Sequence, residues 1–389
     1  MTAGPGARRA ALGIVAAMVL VGGACAGQES SLKMPTEPQQ DSLRARLTLP
    51  AGFTVQYFAT GLAGVRFMAV AADGSVYASL PKSGQVVRLV DSNGDGVADR
   101  MSTVLNGLDR PHGLAFHGGW LYVAISSGVV RVHLKSDGSA SGAPERIVTF
   151  AGGGNHWTRS IAFGADSLMY IAMGSTCNLC VETDTMRAAV TRYDADGGHG
   201  HRFAFGLRNA VGIALDPVTK EIWVSQNERD NLPPDHENLP PDEINILQDG
   251  RDFGWPYCYS LSGTPVPNPE YADSTARCAS TVPAALDIQA HSAPLGITFL
   301  DRATRFPGEY RGDLLVALHG SWDRAVPTGA KVIRVRIAGN KPVSYDDFIT
   351  GWQLGDGSRW GRPVDLAVTK DGALLVSDDA AGAIYRVSY

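Results

Sequence analysis

The chain has 389 residues, 45 of them Gly and 22 Pro, with a formal net charge of -5. That is enough chain for one large domain with a sizeable core. The Lys and Arg residues are dispersed and form no basic stripe, which excludes nucleic acid as a partner.

Residues 1–26 read as an export signal: Arg8 and Arg9 precede an apolar run from Ala10 to Val21, followed by small residues from Gly22 to Gly27. The run is too short for a membrane span. Ala24-Cys25-Ala26 fits a small-x-small cleavage site, while Gly22-Gly23-Ala24-Cys25 is a lipoprotein box without its usual leucine, so Cys25 is either cleaved off or lipidated as a membrane attachment. Either route leaves the protein exported, in the periplasm or outside the cell. Residues 27–46, rich in Gln, Ser, Pro and charge, read as a linker, and the folded body starts near Leu47.

From there one unit recurs: an apolar strand, a turn, and a second strand rich in β-branched and aromatic residues. It is found at Met68–Ala78, Gly113–Ala124, Ser160–Ala172, Val211–Leu215, Leu295–Ala317 and Val364–Ser377, with Asp-Gly, Gly-Gly or a comparable pair in the turns. Six units predict an all-β, six-bladed β-propeller over residues 47–389. Between the first two units, Asp91, Asn93, Asp95 and Asp99 alternate around Gly96 like the first nine places of an EF-hand loop. Ser102 stands where the closing glutamate belongs, so a structural Ca²⁺ site and an ordinary Asp-Gly turn both fit.

Setting Cys25 aside leaves four cysteines, for which Cys177–Cys180 and Cys258–Cys278 are the simplest disulfides in an exported chain. Cys177 and Cys180 also suit a redox or zinc pair, but no second Cys or His pair lies at zinc spacing. Val181 excludes the Cys-x-x-Cys-His haem attachment. The repeats lengthen late in the chain, at Asp230–Pro241 and Tyr257–Ala290, and long loops on one propeller face usually build its site.

A set of motifs then carries a resemblance: Gly206-Leu207-Arg208-Asn209, Pro241-Asp242-Glu243-Ile244-Asn245, Phe253-Gly254-Trp255-Pro256-Tyr257-Cys258, Ala290-His291-Ser292-Ala293-Pro294-Leu295-Gly296, His319-Gly320-Ser321-Trp322-Asp323-Arg324 and Trp360-Gly361-Arg362-Pro363-Val364. Together they make the body from Leu47 to Tyr389 similar to the soluble quinoprotein glucose and sorbosone dehydrogenases, propellers that hold pyrroloquinoline quinone (PQQ), and to the sorbosone branch most. The resemblance implies oxidation of an aldose, a sorbosone-like aldehyde or a related alcohol, with hydride passing to PQQ and electrons leaving to a separate cytochrome or quinone.

In that resemblance His156 is the general base, because hydride loss from a carbinol carbon requires the hydroxyl proton to leave as well. Asp242 would orient its imidazole, although an Asp beside Pro241 also suits a turn cap. Arg208 would stabilise negative charge on the reduced quinone, with a solvated salt bridge as the bland alternative. The three PQQ carboxylates call for converging cations, for which Arg324, Lys331 and Arg362 are candidates beside Asn209, Asn227, His319 and Trp360. The backbone carbonyls of Glu228 and Arg229 would hold Ca²⁺ with the quinone. Here the chain departs from the glucose enzymes, which carry Gly-Pro in place of Glu228-Arg229 and Tyr in place of Phe253. Two other classes are compatible with a propeller: a lactonase-type metal hydrolase, and a glycan- or protein-binding module without chemistry.

Overall fold

The structure, a computed structural model, describes residues 30–389 together with Met1, Thr2 and Gly4. Arg8, Arg9, the apolar run and Cys25 lie outside the described residues, as do the readings that rest on them.

Six blades, each built on four antiparallel strands, surround an axis; blades 1 and 3 each gain a short fifth strand at the edge, and that of blade 3, Arg251–Asp252, pairs in parallel. Their innermost strands are Met68–Val70, Leu114–His117, Arg159–Phe163, Ala210–Leu215, Pro294–Phe299 and Pro363–Val368. Each touches the next, and the sixth touches the first, so the ring is closed. The second strands, such as Val76–Leu80, Met169–Met173 and Leu314–Leu318, are buried throughout. They are covered on both faces by neighbouring blades and therefore read as continuous apolar runs instead of alternating ones.

One apolar cluster fills each of the six gaps between blades, for example Tyr170, Ala172 and Val190 against Ala210, Ile222 and Val224. A smaller cluster of Phe67, Val211, Leu295 and Val364 lies on the axis and plugs it. Glycine is required where innermost strands approach one another: a Cβ on Gly212 would lie 2.1 Å from the Leu295 carbonyl, and one on Gly296 would lie 2.2 Å from Asp365.

Blade 6 draws on both ends of the chain. Thr54–Thr60 pairs antiparallel with Ala383–Ser388 and supplies the outermost strand. Blade 4 carries the long insertion, which folds as the hairpin Cys258–Leu261/Thr264–Pro267 and short helical turns before the blade's last strand, Leu286–Ile288.

The linker reading of residues 27–46 needs correction. Ser30–Ser31 pairs with Arg100–Met101 at the edge of blade 1, and Glu37–Arg46 is an α-helix. The helix begins where Thr36 N–H donates to Gln39 Oε1 (2.8 Å), and Glu37 in its first turn with Arg44 and Arg46 in its last suit the helix dipole. It is attached to the body by Leu43, which joins the cluster between blades 5 and 6, and by Gln40, whose Oε1 accepts from Tyr57 N–H (2.8 Å).

The Asp91 loop is a turn held by its own groups. Asp91 accepts from Gly94 and Gly96 N–H (2.8 Å each), Asn93 Nδ2 donates to Asp95, and Asp99 accepts from Ser92. Asp91, Asp95 and Asp99 do not bring one oxygen each within 4.8 Å of one another, and their hydrogen bonds are those of an Asp-Gly turn. Both disulfides are present, with Cα–Cα distances of 6.2 Å for Cys177–Cys180 and 5.7 Å for Cys258–Cys278.

Candidate active site

The segments that lead into the six innermost strands bring Arg66, His112, His156, Asn209, Ala293 and Arg362 to one end of the ring. On the side of blades 3 to 5 they open a cavity of about 190 Å³, lined by His156, Arg208, Asn209, Asn227, Glu228, Asp230, Asp242, His291, Ala293 and Trp322. A larger groove of about 510 Å³ runs past Asp73, Arg88, Arg305, Asp371 and Arg386 at blades 1 and 6; of the predicted site residues it holds Asp91 and none of the catalytic or cofactor candidates.

His156 is positioned by main chain. Its Nδ1 lies 2.9 Å from the Ser175 carbonyl and 3.0 Å from Ser175 Oγ. A carbonyl only accepts, so Nδ1 carries the hydrogen and Nε2, which makes no hydrogen bond, keeps its lone pair. Burial, followed by the Arg208 guanidinium, pushes the imidazole down to about 3, which keeps it a neutral proton acceptor. The expected partner was Asp242, and this is corrected: Asp242 accepts from Glu228 N–H and Ala293 N–H (2.9 Å each), joining blade 4's loop to blade 5. Burial pushes its carboxyl up to about 8.

Two arginines that the sequence did not single out hold the loop carrying His156. Arg187 donates to the carbonyls of Gly153, Ala151, Gly174 and His156, and Arg159 donates to those of His156 (2.9 Å) and Thr158 (2.8 Å). Gly174 completes the support. A Cβ there would lie 2.4 Å from Asn209 Oδ1 and 2.5 Å from His156 Cβ, so the absence of a side chain lets these two residues sit together.

Arg208 is 4% exposed, which removes the solvated salt bridge as its explanation. It donates to the Asn178 carbonyl (3.0 Å), to Asn178 Oδ1 (2.9 Å), to Asp230 Oδ2 (3.2 Å) and to the carbonyls of Asn227 (3.2 Å) and Glu228 (2.6 Å). Asn178 lies inside the Cys177–Cys180 loop, so that disulfide fixes the anchor of the guanidinium. The Glu228 carbonyl expected at Ca²⁺ is thus held by Arg208, whereas the Arg229 carbonyl accepts no hydrogen bond. The Arg229 side chain turns to Glu270 (2.6 Å) and Asn268. Glu228 has its carboxyl on Gln226, and burial pushes it up to about 7. Asn227 Nδ2 donates to the Pro294 carbonyl (2.7 Å), and Asn209 keeps Oδ1 buried without a partner.

The remaining predicted cofactor residues divide. Arg362 donates to the carbonyls of His319 (2.8 Å) and Gly320 (2.7 Å), and His319 Nε2 meets Asp379 (2.9 Å), which also pairs with Arg66 (2.7 Å). These four stand at the same end of the ring on blades 1, 5 and 6, outside the cavity of His156. Lys331 pairs with Asp347 (2.6 Å) along blade 5, and Arg324 is taken up by the Glu237 carbonyl and Val326. Trp360 packs beside Trp352 with Nε1 on the Gly351 carbonyl (2.7 Å) and Arg46 over its ring. Lys331, Arg324 and Trp360 therefore form no part of the cavity wall.

Four guanidinium groups at this end have no carboxylate partner among the described residues. Arg159, Arg187, Arg359 and Arg362 bond to carbonyls, hydroxyls or an amide oxygen, and none pairs with a carboxylate. Buried cations in that state favour an anionic ligand. Arg66 Nε and His112 Nε2 are also buried without partners. The unfilled Arg66 donor, the unpartnered Asn209 oxygen and these guanidinium groups fit a polar, anionic cofactor.

The fold is thus a closed six-bladed propeller with a neutral imidazole and several guanidinium groups at one end of the ring. A family model described as TrAA12-like matches residues 47–389, and the chain belongs to that family. It is 25% identical over 418 residues to the pyrroloquinoline quinone-dependent pyranose dehydrogenase of Coprinopsis cinerea, covering 91% of this chain and 56% of that protein. The chain spans about half the length of the curated relatives it matches. Among solved structures, a Trichoderma reesei carbohydrate-active enzyme of family AA12 superposes with a TM-score of 0.79 at 22% identity over 88% of this chain and 97% of that one. The holo form of the Coprinopsis cinerea pyranose dehydrogenase PQQ domain gives 0.76 at 22% identity, over 88% and 97%. These two likenesses establish the six-bladed fold.

Proposed function

We propose that the chain is a PQQ-dependent sugar dehydrogenase, an oxidoreductase that removes two electrons from a carbinol carbon of an aldose or a related sugar or aldehyde. The observation that carries the reading is the His156 imidazole, fixed by Ser175 so that an unprotonated Nε2 stands free in a cavity it shares with the buried Arg208 guanidinium and the Asn209 amide. Bound PQQ supplies the two-electron acceptor, and an external cytochrome or quinone takes the electrons onward.

The chain's own residues do the rest. His156 Nε2 takes the substrate hydroxyl proton, and the buried environment keeps it available well below neutral pH. Arg208 offers fixed positive charge inside a water-poor cavity, where it is worth more than in solution. Arg362, with Arg66 behind it, is placed to meet carboxylates, and the Asn209 amide to meet a polar edge. The Glu228 and Arg229 carbonyls suit Ca²⁺ by type, and the Glu228 oxygen keeps a second lone pair beside the one that meets Arg208. Trp322, 72% exposed on the cavity rim, offers a stacking face for a sugar ring. The pairing of Arg208 with this set weighs against a hydrolytic metal site as the main chemistry. Export and attachment through Cys25 belong to the same proposal.

The test is addition of PQQ and Ca²⁺ to the apo protein, followed by absorbance and by dye reduction across a sugar panel. A saturable shift with sugar-dependent reduction is expected, and a His156→Ala variant should bind quinone yet reduce no dye. Absence of any shift at micromolar quinone would sink the reading.

A further inference from the structure

Beside the cavity, three loops that are distant in sequence bring Asp230, His291 and Asp323 together. His291 Nδ1 lies 3.8 Å from Asp230 Oδ1 and 3.8 Å from Asp323 Oδ2, and one ligand atom from each residue falls within 4.8 Å of the others. The other imidazole nitrogen is committed: Nε2 meets the His236 carbonyl at 2.8 Å, so it carries the hydrogen. In the neutral ring Nδ1 therefore turns a lone pair toward two carboxylates.

Among the described residues Arg208 meets the other oxygen of Asp230, and no cation but the imidazole faces Asp323. A spacing of 3.8 Å is too long for a hydrogen bond. Both oxygens of Asp323 are buried without a partner, and its side chain is only 8% exposed. A buried, unpaired carboxylate facing a second carboxylate and a lone pair is a costly grouping unless a cation lies between them. His291 reaches its position through a left-handed backbone conformation, φ 60°, which a histidine seldom adopts. The separation does suit two ligands of one ion, each about 2.0–2.2 Å from it.

We propose that Asp230, His291 and Asp323 form a divalent metal site, separate from the quinone and from the backbone carbonyls of Glu228 and Arg229. An imidazole nitrogen with two carboxylates selects a first-row ion such as Zn²⁺ or Mn²⁺ over Ca²⁺, which prefers an all-oxygen shell. The His236 carbonyl behind the imidazole is the usual outer support of a metal-bound histidine. Three protein ligands leave a coordination position open. Asp230 and His291 line the cavity with His156 and Trp322, so that position faces the space where a sugar hydroxyl or a water would lie. Asp230 also joins the site to Arg208 through its second oxygen at 3.2 Å. The lactonase-type hydrolases considered from the sequence place a water-activating ion in such a setting, but here the ion would stand beside a base and a guanidinium.

The site is tested on the full chain stripped with chelator and without quinone. Co²⁺ is titrated and followed by its visible absorption, with Mn²⁺ followed by electron paramagnetic resonance and Zn²⁺ and Ca²⁺ used as competitors. One saturable equivalent is expected, displaced by Zn²⁺ and not by equal Ca²⁺, with a rise in Tm on binding. Asp323→Asn and His291→Gln should each weaken uptake by about tenfold or more, while near-ultraviolet circular dichroism shows the native fold. Lack of stoichiometric uptake, as expected if the cluster is a histidinium between two carboxylates, overturns the site. Equal affinity in the two variants also overturns it, and preferential Ca²⁺ binding overturns the choice of ion. A parallel quinone titration of the same samples separates this outcome from failure of the dehydrogenase reading.

Discussion

Replacing Gly174 with alanine adds one methyl group where two site residues meet. Gly174 does not occupy the left-handed region, so the backbone accepts alanine and the perturbation falls on the neighbours. The added Cβ would stand 2.5 Å from His156 Cβ and 2.4 Å from Asn209 Oδ1. Unstrained carbon contacts lie at about 3.5–4.0 Å, so His156 and Asn209 must together give way by about 1 Å. A catalytic group misplaced by that distance loses on the order of 10²-fold in rate, while overpacking one methyl costs about 1–3 kcal/mol of stability. The assay is kcat/KM for dye reduction by quinone-loaded protein, with Tm and quinone affinity measured on the same samples. A fall of about 10²-fold in kcat/KM with a Tm lower by only a few degrees is expected. A variant with wild-type kcat/KM and quinone affinity would refute the idea that Gly174 sets the spacing of the base and the amide.

The two disulfides should separate function from stability. Cys177→Ser with Cys180→Ser frees Asn178, the anchor of Arg208, and should weaken quinone binding with little change in Tm. Cys258→Ser with Cys278→Ser opens a loop of 20 residues, for which about 3 kcal/mol of stability is expected to be lost with quinone binding largely kept; the same pattern in both variants would contradict this division. Stability should also depend on pH in two directions. His156 and His319 are pushed down by burial to about 3 and 4, so their part is complete above about 6.5 and is lost as pH falls toward those values. Glu228, Asp242 and Asp365 are pushed up by burial to about 7, 8 and 7, so their part is present below about 4 and is lost as pH rises through 7 to 8. Calorimetry should therefore show Tm falling between about pH 6.5 and 8.5, less steeply in Asp365→Asn, and a Tm that climbs over that interval would contradict the assignment.

The ring was legible because each blade's inner two strands are apolar runs joined by Gly-rich turns, and the covering blades demand that pattern on both faces. Helix Glu37–Arg46 was missed for the opposite reason. It buries Leu43 as its sole apolar anchor, so periodicity is nearly silent, and the signal that was present is the Thr36/Gln39 pairing at its start. Within the site, His156, Arg208, Asn209 and Asn227 came together as their motifs implied, whereas the partner of His156 did not. Ser175 acts through its carbonyl, which no side-chain pattern reveals, and Arg187 and Arg159 likewise bind main chain. Asp230, His291 and Asp323 stood inside or beside quoted motifs, yet their meeting depends on how blades 4 and 5 adjoin. Lys331 and Trp360 show the converse: a charge or an aromatic near a motif was spent on Asp347 and on Trp352.

The shared construction of blade 6 also sets when the site can exist. Thr54–Thr60 is made before blades 1 to 5 and its partner Ala383–Ser388 only after them, and Arg362 and Asp379 flank the strands Pro363–Val368 and Leu374–Asp378 that this pairing completes. A growing chain can stack blades 1 to 5 in order, but it holds an open arc whose axial cations face water until Ala383–Ser388 arrives. Closure of that end of the ring is thereby tied to the arrival of Ala383–Ser388, and a chain lacking that strand would leave Thr54–Thr60 without its partner.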